Sequence, residues 1–127
     1  MNDKIKPTDA ELEILRVLWQ WGPCTVRHVH ERLPSDPPRG YTTVLKLMQI
    51  MSDKKLVRRN EAQRAHIYEA AVSPTQAQGS LVKHLLEKAF DNSTAKLIVQ
   101  ALAARPASPE ELAEIRRLLD EAEGEEK

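Results

Sequence analysis

The chain has 127 residues, a single cysteine, and 19 basic against 19 acidic side chains. Such a length fits one small domain with an appended element, and the lone Cys24 excludes an intramolecular disulfide or a cysteine-based metal cluster. No run approaches the ~18 apolar residues of a membrane span, and the opening MNDKIKPTDAE has no apolar signal core, so a cytoplasmic protein without membrane insertion is expected.

Thr8 and Glu11 have the spacing of a capping box and predict a first helix over about 9–21. Leu12, Ile14, Leu15, Leu18 and Trp19 form its apolar face, and Gly22-Pro23 stops it. Trp19 and Trp21 cannot share a face at that spacing, which puts Trp19 in the core and Trp21 at its edge. Thr25 can cap a short second helix through Leu33, with Val26, Val29 and Leu33 inward; Pro34, Pro37 and Pro38 then make SDPPRG a loop.

The third helix, expected at about 42–54, organises the rest. Val44, Leu47, Met48 and Met51 recur as one apolar stripe, whereas Thr42, Lys46, Gln49 and Asp53 fall on another side. Hydroxyls, an amide and a flexible cation on one helix face suit hydrogen bonds to phosphates and base edges in a DNA major groove. The plainer alternative is an amphipathic helix with a solvated face.

The residues beyond this helix favour the DNA-facing alternative. Leu56 to Arg59 and Ala65 to Ala70 read as two strands joined by a polar, cationic turn, with Ile67 on one face and His66 and Tyr68 on the other. Three helices and then a basic hairpin is the order of a winged helix-turn-helix. The charge is distributed accordingly. Residues 39–64 hold seven cations against two anions, residues 1–72 carry a balance of +3, and residues 73–127 carry −3.

Ser73-Pro74 with Gln76 starts a different region. Leu81, Val82, Leu85, Leu86, Ala89 and Phe90 form one stripe, Leu97, Ile98, Ala101 and Leu102 a second, and Leu112, Ile115, Leu118 and Leu119 a third behind the cap Ser108-Pro109-Glu110-Glu111. Three such helices cannot bury these stripes efficiently among themselves; they either fold back on the winged helix or pair with a second copy, and pairing is favoured. The expected architecture is therefore mainly α with a small β-hairpin: a winged-helix domain over 1–72, a helical dimerisation region over 73–123, and a frayed acidic tail over 124–127. The dimer interface is assigned to Leu81, Leu85, Phe90, Leu97, Ile98, Leu102, Leu112, Ile115, Leu118 and Leu119.

The chain resembles the penicillinase-repressor (BlaI/MecI) family of bacterial transcriptional regulators. The resemblance is carried by Thr8-Asp9-Ala10-Glu11-Leu12-Glu13-Ile14-Leu15 with Leu18-Trp19, by Tyr41-Thr42-Thr43-Val44 with Lys54 and Leu56-Val57, and by His66-Ile67-Tyr68 leading to Ser73-Pro74. It implies a homodimeric repressor that binds an inverted-repeat, double-stranded DNA operator and is relieved through a membrane sensor metalloprotease. It also implies that Thr42, Thr43 and Lys46 meet DNA, with Arg64 and neighbouring wing residues on phosphates. The candidate DNA contacts are Arg39, Tyr41, Thr42, Thr43, Lys46, Gln49, Arg58, Arg59, Arg64 and His66.

Three positions depart from the family pattern. Lys55 stands where a glycine is usual. Leu97–Ala104, reading LIVQALAA, lacks the Asn–Phe pair at which characterised members are cleaved. No cysteine comes after Cys24, which disfavours a copper-thiolate switch.

No metal or other cofactor is expected. His28 and His30 are two apart and diverge on a helix, and His66 and His84 lack acidic or cysteine neighbours in sequence. No glycine-rich phosphate loop, GxSxG or HExxH occurs, so catalysis is not expected. Two alternatives stand beside the repressor: a winged-helix module for protein–protein contact, and a thiol- or ligand-sensing regulator using Cys24, which sits near a helix N-terminus.

Overall fold

Side chains take up the first free amides at the start of most helices in this chain, whose residues 6–125 are described by a computed structural model. Helix α1 (Asp9–Trp21) opens on a complete capping box: the Glu11 amide donates to Thr8 Oγ1 at 3.2 Å, and the Thr8 amide to Glu11 Oε1 at 2.9 Å. Thr25 caps α2 (Val26–Arg32) through the His28 amide. Ser73 and Gln76 cap α4 (Pro74–Ala89) reciprocally, Ser93 caps α5 (Thr94–Ala104), and Ser108 caps α6 (Pro109–Glu125). Helix α3 (Tyr41–Asp53) differs: Gly40 offers no side-chain cap. The loop ahead of it is tied down instead by His30, whose Nε2–H donates to the Arg39 carbonyl at 2.9 Å.

The C-terminal end of α3 is closed by a Schellman motif. The Leu56 amide donates to the Met51 carbonyl at 2.9 Å and the Lys55 amide to the Ser52 carbonyl at 3.1 Å, with Lys55 in the left-handed region at φ +67°. Leu56 and Met51, the apolar pair such a motif brings together, are both fully buried.

The chain then enters a hairpin of β2 (Val57–Asn60) and β3 (Ile67–Ala70), in which Arg59 stands opposite Tyr68 and Asn60 opposite Ile67. A third strand, β1 (Cys24–Thr25), pairs antiparallel with β3, giving the order β1-β3-β2. A two-residue strand whose second residue is also the cap of α2 carries too little alternation to read from the sequence. Of the hairpin residues, Tyr68 is the buried one of β3, and Ile67 is only half-buried.

The core is assembled from Ile14, Leu15 and Leu18 of α1, Val26 and Val29 of α2, Val44, Met48 and Met51 of α3, and Leu56, Val57, Tyr68 and Val72. Each such side chain withdrawn from water contributes about 2 kcal/mol before conformational entropy is set against it. Trp19 packs on this core and its indole N–H donates to the Val72 carbonyl at 2.9 Å, whereas Trp21 is exposed with the Arg32 guanidinium 4.4 Å over its ring.

The chain divides into two compact units, one running through Leu85 and the other beginning at Leu86. The division falls inside α4, whose Ala77 and Ser80 are buried. Helix α6 continues to Glu125, so the part of the expected frayed tail at 124–125 is helical; residues 126–127 lie outside the described residues.

One polar contact ties the ends of α1 and α3 together. Lys54 Nζ, at the C-cap of α3, lies 2.8 Å and 3.1 Å from the two oxygens of Glu11. The Glu11 side chain is 3% exposed and that of Lys54 34%, so the pair is half-wet and milder than a fully buried one. Glu11→Ala is expected to lower the urea-unfolding free energy by about 2–3 kcal/mol. A double-mutant cycle with Lys54→Ala should return a coupling of about 1–2 kcal/mol. A coupling indistinguishable from zero would mean that the pair does not hold the two helix ends together.

Candidate nucleic-acid interface

The apolar stripe of α3 faces inward, so the opposite side is committed to solvent. Tyr41, Thr42, Thr43, Lys46, Gln49, Ile50 and Asp53 are at the surface along it. Thr42, Lys46, Gln49 and Asp53 lie nearly in line down the helix, and Thr43 and Ile50 flank them on one side. Ile50 was not singled out from the sequence, although an exposed branched aliphatic on such a face can meet a thymine methyl.

The hairpin stands beside this face. Tyr41, Leu45 and Gln49 of α3, Thr25 and Val26 at the start of α2, and Arg59, Arg64, Ala65, His66 and Tyr68 of the wing line one groove of about 300 Å³. Five of the candidate contacts thus converge: Tyr41, Gln49, Arg59, Arg64 and His66. Thr42, Thr43 and Lys46 lie on the exposed face of the same helix. Thr25, Val26, Leu45, Ala65 and Tyr68 were not assigned to the site from the sequence, since their place in it depends on the wing folding over α3.

Internal partners take up part of the positive charge. Arg59 donates to the Tyr68 phenol and pairs with Glu61 at 2.6 Å; both raise its pKa above the ordinary arginine value and keep it cationic. Arg58 pairs with Glu69 at 3.5 Å across the hairpin, both side chains being well exposed, where such a pair contributes little. Arg39 is half-buried against Glu13 at 3.6 Å, in the loop ahead of α3 and outside the groove. Lys54, counted among the cations of this stretch, is held by Glu11. Among the described residues, Lys46, Lys55 and Arg64 have no ion-pair partner.

A second concavity, of about 590 Å³, is lined by Ser52, Lys55, Val57, Arg58, Arg59 and Ala71. Arg59 borders both.

The remaining candidates sort by burial. Cys24 is buried in β1; its Sγ–H donates to the Gly22 carbonyl at 3.3 Å and its sulfur accepts from Arg32 at 3.5 Å. His30 is spent on the Arg39 carbonyl and stacks edge-on against Tyr41, with ring centroids 5.9 Å apart. His84 accepts from the Lys6 ammonium. No group of three or more His, Cys, Asp or Glu gathers at metal-binding distance among the described residues, and no described helix is long and apolar enough to cross a membrane.

From Leu81 to Gly124 no residue is buried. Of the residues assigned to a dimer interface, Leu81, Phe90, Leu97, Leu112 and Ile115 are half-buried, and Leu85, Ile98, Leu102, Leu118 and Leu119 are exposed. Val82 and Val99 are exposed as well, Val99 to 61%.

Comparison with known proteins places these features in context. The penicillinase repressor family model matches residues 7–121. The transcriptional regulator BlaI of Mycobacterium tuberculosis, in two strains, is 31% identical over 116 residues, covering 91% of this chain and 83% of the relative. A structure of Bordetella bronchiseptica BpsR, described for the regulation of its DNA binding by 6-hydroxynicotinic acid, aligns at 20% identity with a TM-score of 0.46, over 91% of this chain and 74% of that one.

The two kinds of contact available at this surface should separate experimentally. Arg64→Glu is expected to weaken binding to all duplex sequences about equally, as a backbone contact would. Thr43→Ala should cost about 1–3 kcal/mol on a preferred site and much less elsewhere. Gel-shift titrations on matched and scrambled duplexes measure both, and a sequence-selective loss in Arg64→Glu would contradict the assignment.

Proposed function

The chain belongs to the penicillinase repressor family of transcriptional regulators, and we propose that it acts as a homodimer that holds a two-fold symmetric DNA operator. The observation that carries this reading is the groove between α3 and the wing, where Gln49 and Tyr41 of the helix face Arg59, Arg64 and His66 of the hairpin. Helix α3 enters the major groove and reads base edges with Thr42, Thr43, Lys46 and Gln49, while the wing tracks the sugar–phosphate backbone.

Dimerisation is supported by the exposed apolar side chains of the helical region. Leu118 and Leu119 are 50% and 52% exposed on a helix whose other face is acidic, and α5 is apolar along nearly all its length with no residue buried. Surface of that kind is stable in water when a second copy covers it. A symmetric pair then presents two recognition helices to two half-sites.

The family resemblance points to a membrane sensor metalloprotease as the upstream partner. Since α5 carries LIVQALAA, release in this chain does not use an Asn–Phe bond there.

Selection of bound duplexes from a random library tests the reading directly. An inverted repeat with half-sites about one helical turn apart is expected, bound with a log–log salt slope near −5 for about three phosphate contacts per protomer. Recovery of no consensus would leave the cations as a source of non-specific attraction only. Leu118→Asp is expected to convert the sedimenting dimer to monomer and to abolish operator binding; a variant that remains dimeric would place the interface elsewhere.

A further inference from the structure

Lys55 is a residue in the wrong conformation for its side chain. The Schellman closure of α3 requires a left-handed residue, and at φ +67° a Cβ crowds the neighbouring backbone where glycine would sit without strain. Conformations of this sort persist in proteins where the side chain has a task. The local structure gives Lys55 none: it is exposed, and it has no ion-pair or hydrogen-bond partner for its ammonium among the described residues. Favourable interaction with the negative end of the helix is already supplied one residue earlier by Lys54, whose ammonium is fixed on Glu11.

Its surroundings suggest the task. Lys55 lines the second concavity together with the Ser52 hydroxyl and Arg58, over a floor of Val57 and Ala71. Arg58 is held only by an exposed pair with Glu69, which a phosphate can replace. Arg59 borders both this concavity and the groove containing Arg64 and His66. The two sets of basic residues thus adjoin at Arg59.

We propose that Ser52, Lys55 and Arg58 form a second phosphate-binding cradle, which takes backbone phosphates of the duplex flanking the half-site read by α3. This rests on the repressor reading and extends it. The protein then contacts DNA beyond the bases it reads. The donor set fits a phosphodiester: two cations and a hydroxyl, in a depression open on one side. The cations are needed there, since the C-terminal end of a helix by itself repels anions.

Lys55→Gly makes an unusually clean test, because it relieves backbone strain as it removes the charge. Lys55→Asn, which tolerates the left-handed conformation, removes the charge separately. On the operator recovered by selection with the wild-type chain, both variants should lose affinity by on the order of 30-fold for the dimer at about 0.15 M salt, and their log–log salt slope should be shallower by about 2. Lys55→Gly should unfold at or above the wild-type temperature, and Lys55→Arg should retain wild-type binding. Ethylation interference should show phosphates outside the half-site that block the wild type and not Lys55→Gly.

Wild-type affinity and slope in Lys55→Gly would overturn the cradle while leaving the repressor intact. So would a loss of affinity in Lys55→Gly accompanied by a lowered unfolding temperature, since Lys55 would then be structural. If the wild type itself selects no operator, the repressor reading falls and the cradle falls with it.

Discussion

The carboxylate of Glu11 serves two elements at once. It completes the cap of α1 by accepting from the Thr8 amide, and it receives the ammonium of Lys54 at the far end of α3. Each partner sits where its charge is also favoured by a helix end, the anion in a first turn and the cation at a C-cap. The contact joins residues 43 apart, and it pins the end of α3 to the start of α1 just where the hairpin begins. Everything that positions the wing, including the left-handed turn at Lys55 and the burial of Leu56, starts from that point.

Fixing α3 in this way lets one short helix serve two purposes without conflict. Its inner side supplies Val44, Met48 and Met51 to the core, while its outer side carries polar groups that have no structural duty. The cations around it divide in the same manner. Lys54 and Arg39 are held by Glu11 and Glu13 and act mainly as fasteners; Arg59, steadied by the Tyr68 phenol and by exposed Glu61, still lines the groove, and Lys46, Lys55 and Arg64 project a field outward. A chain of zero net charge can still present a positive surface here, because residues 39–64 hold seven cations against two anions while residues 73–127 carry a balance of −3.

Much of this was legible in the order of residues. The capping box at Thr8, the cap at Ser108, the stop at Gly22, the stripe of α3 and the basic hairpin are local patterns, and local physics is enough to read them. What escaped was tertiary. Nothing near Lys54 in sequence announces Glu11 as its partner, so Lys54 counted toward the surface charge until the fold paired it. Tyr68 and His66 alternate onto one face, but only the pairing with β1 and β2 shows that Tyr68 is interior and holds Arg59. The start of α4 is a local pattern and was legible, whereas the burial of Ala77 and Ser80 was not, since it depends on what α4 packs against. Lys55 stands between: its departure from glycine was visible, and the concavity that explains it was not.

The two tryptophans, separated by one residue, have been placed in opposite surroundings. Trp19 is bonded through its indole N–H to Val72, just past the hairpin, whereas Trp21 lies open to water beneath Arg32. The chain therefore contains two intrinsic fluorophores that report different events. Emission from Trp19 tracks the closure of α1 onto the segment leaving the wing, and quenching of Trp21 by solutes tracks access to the α1–α2 turn. With each replaced in turn by phenylalanine, folding of the DNA-reading unit and occupancy of its outer surface can be monitored separately, without attaching a dye.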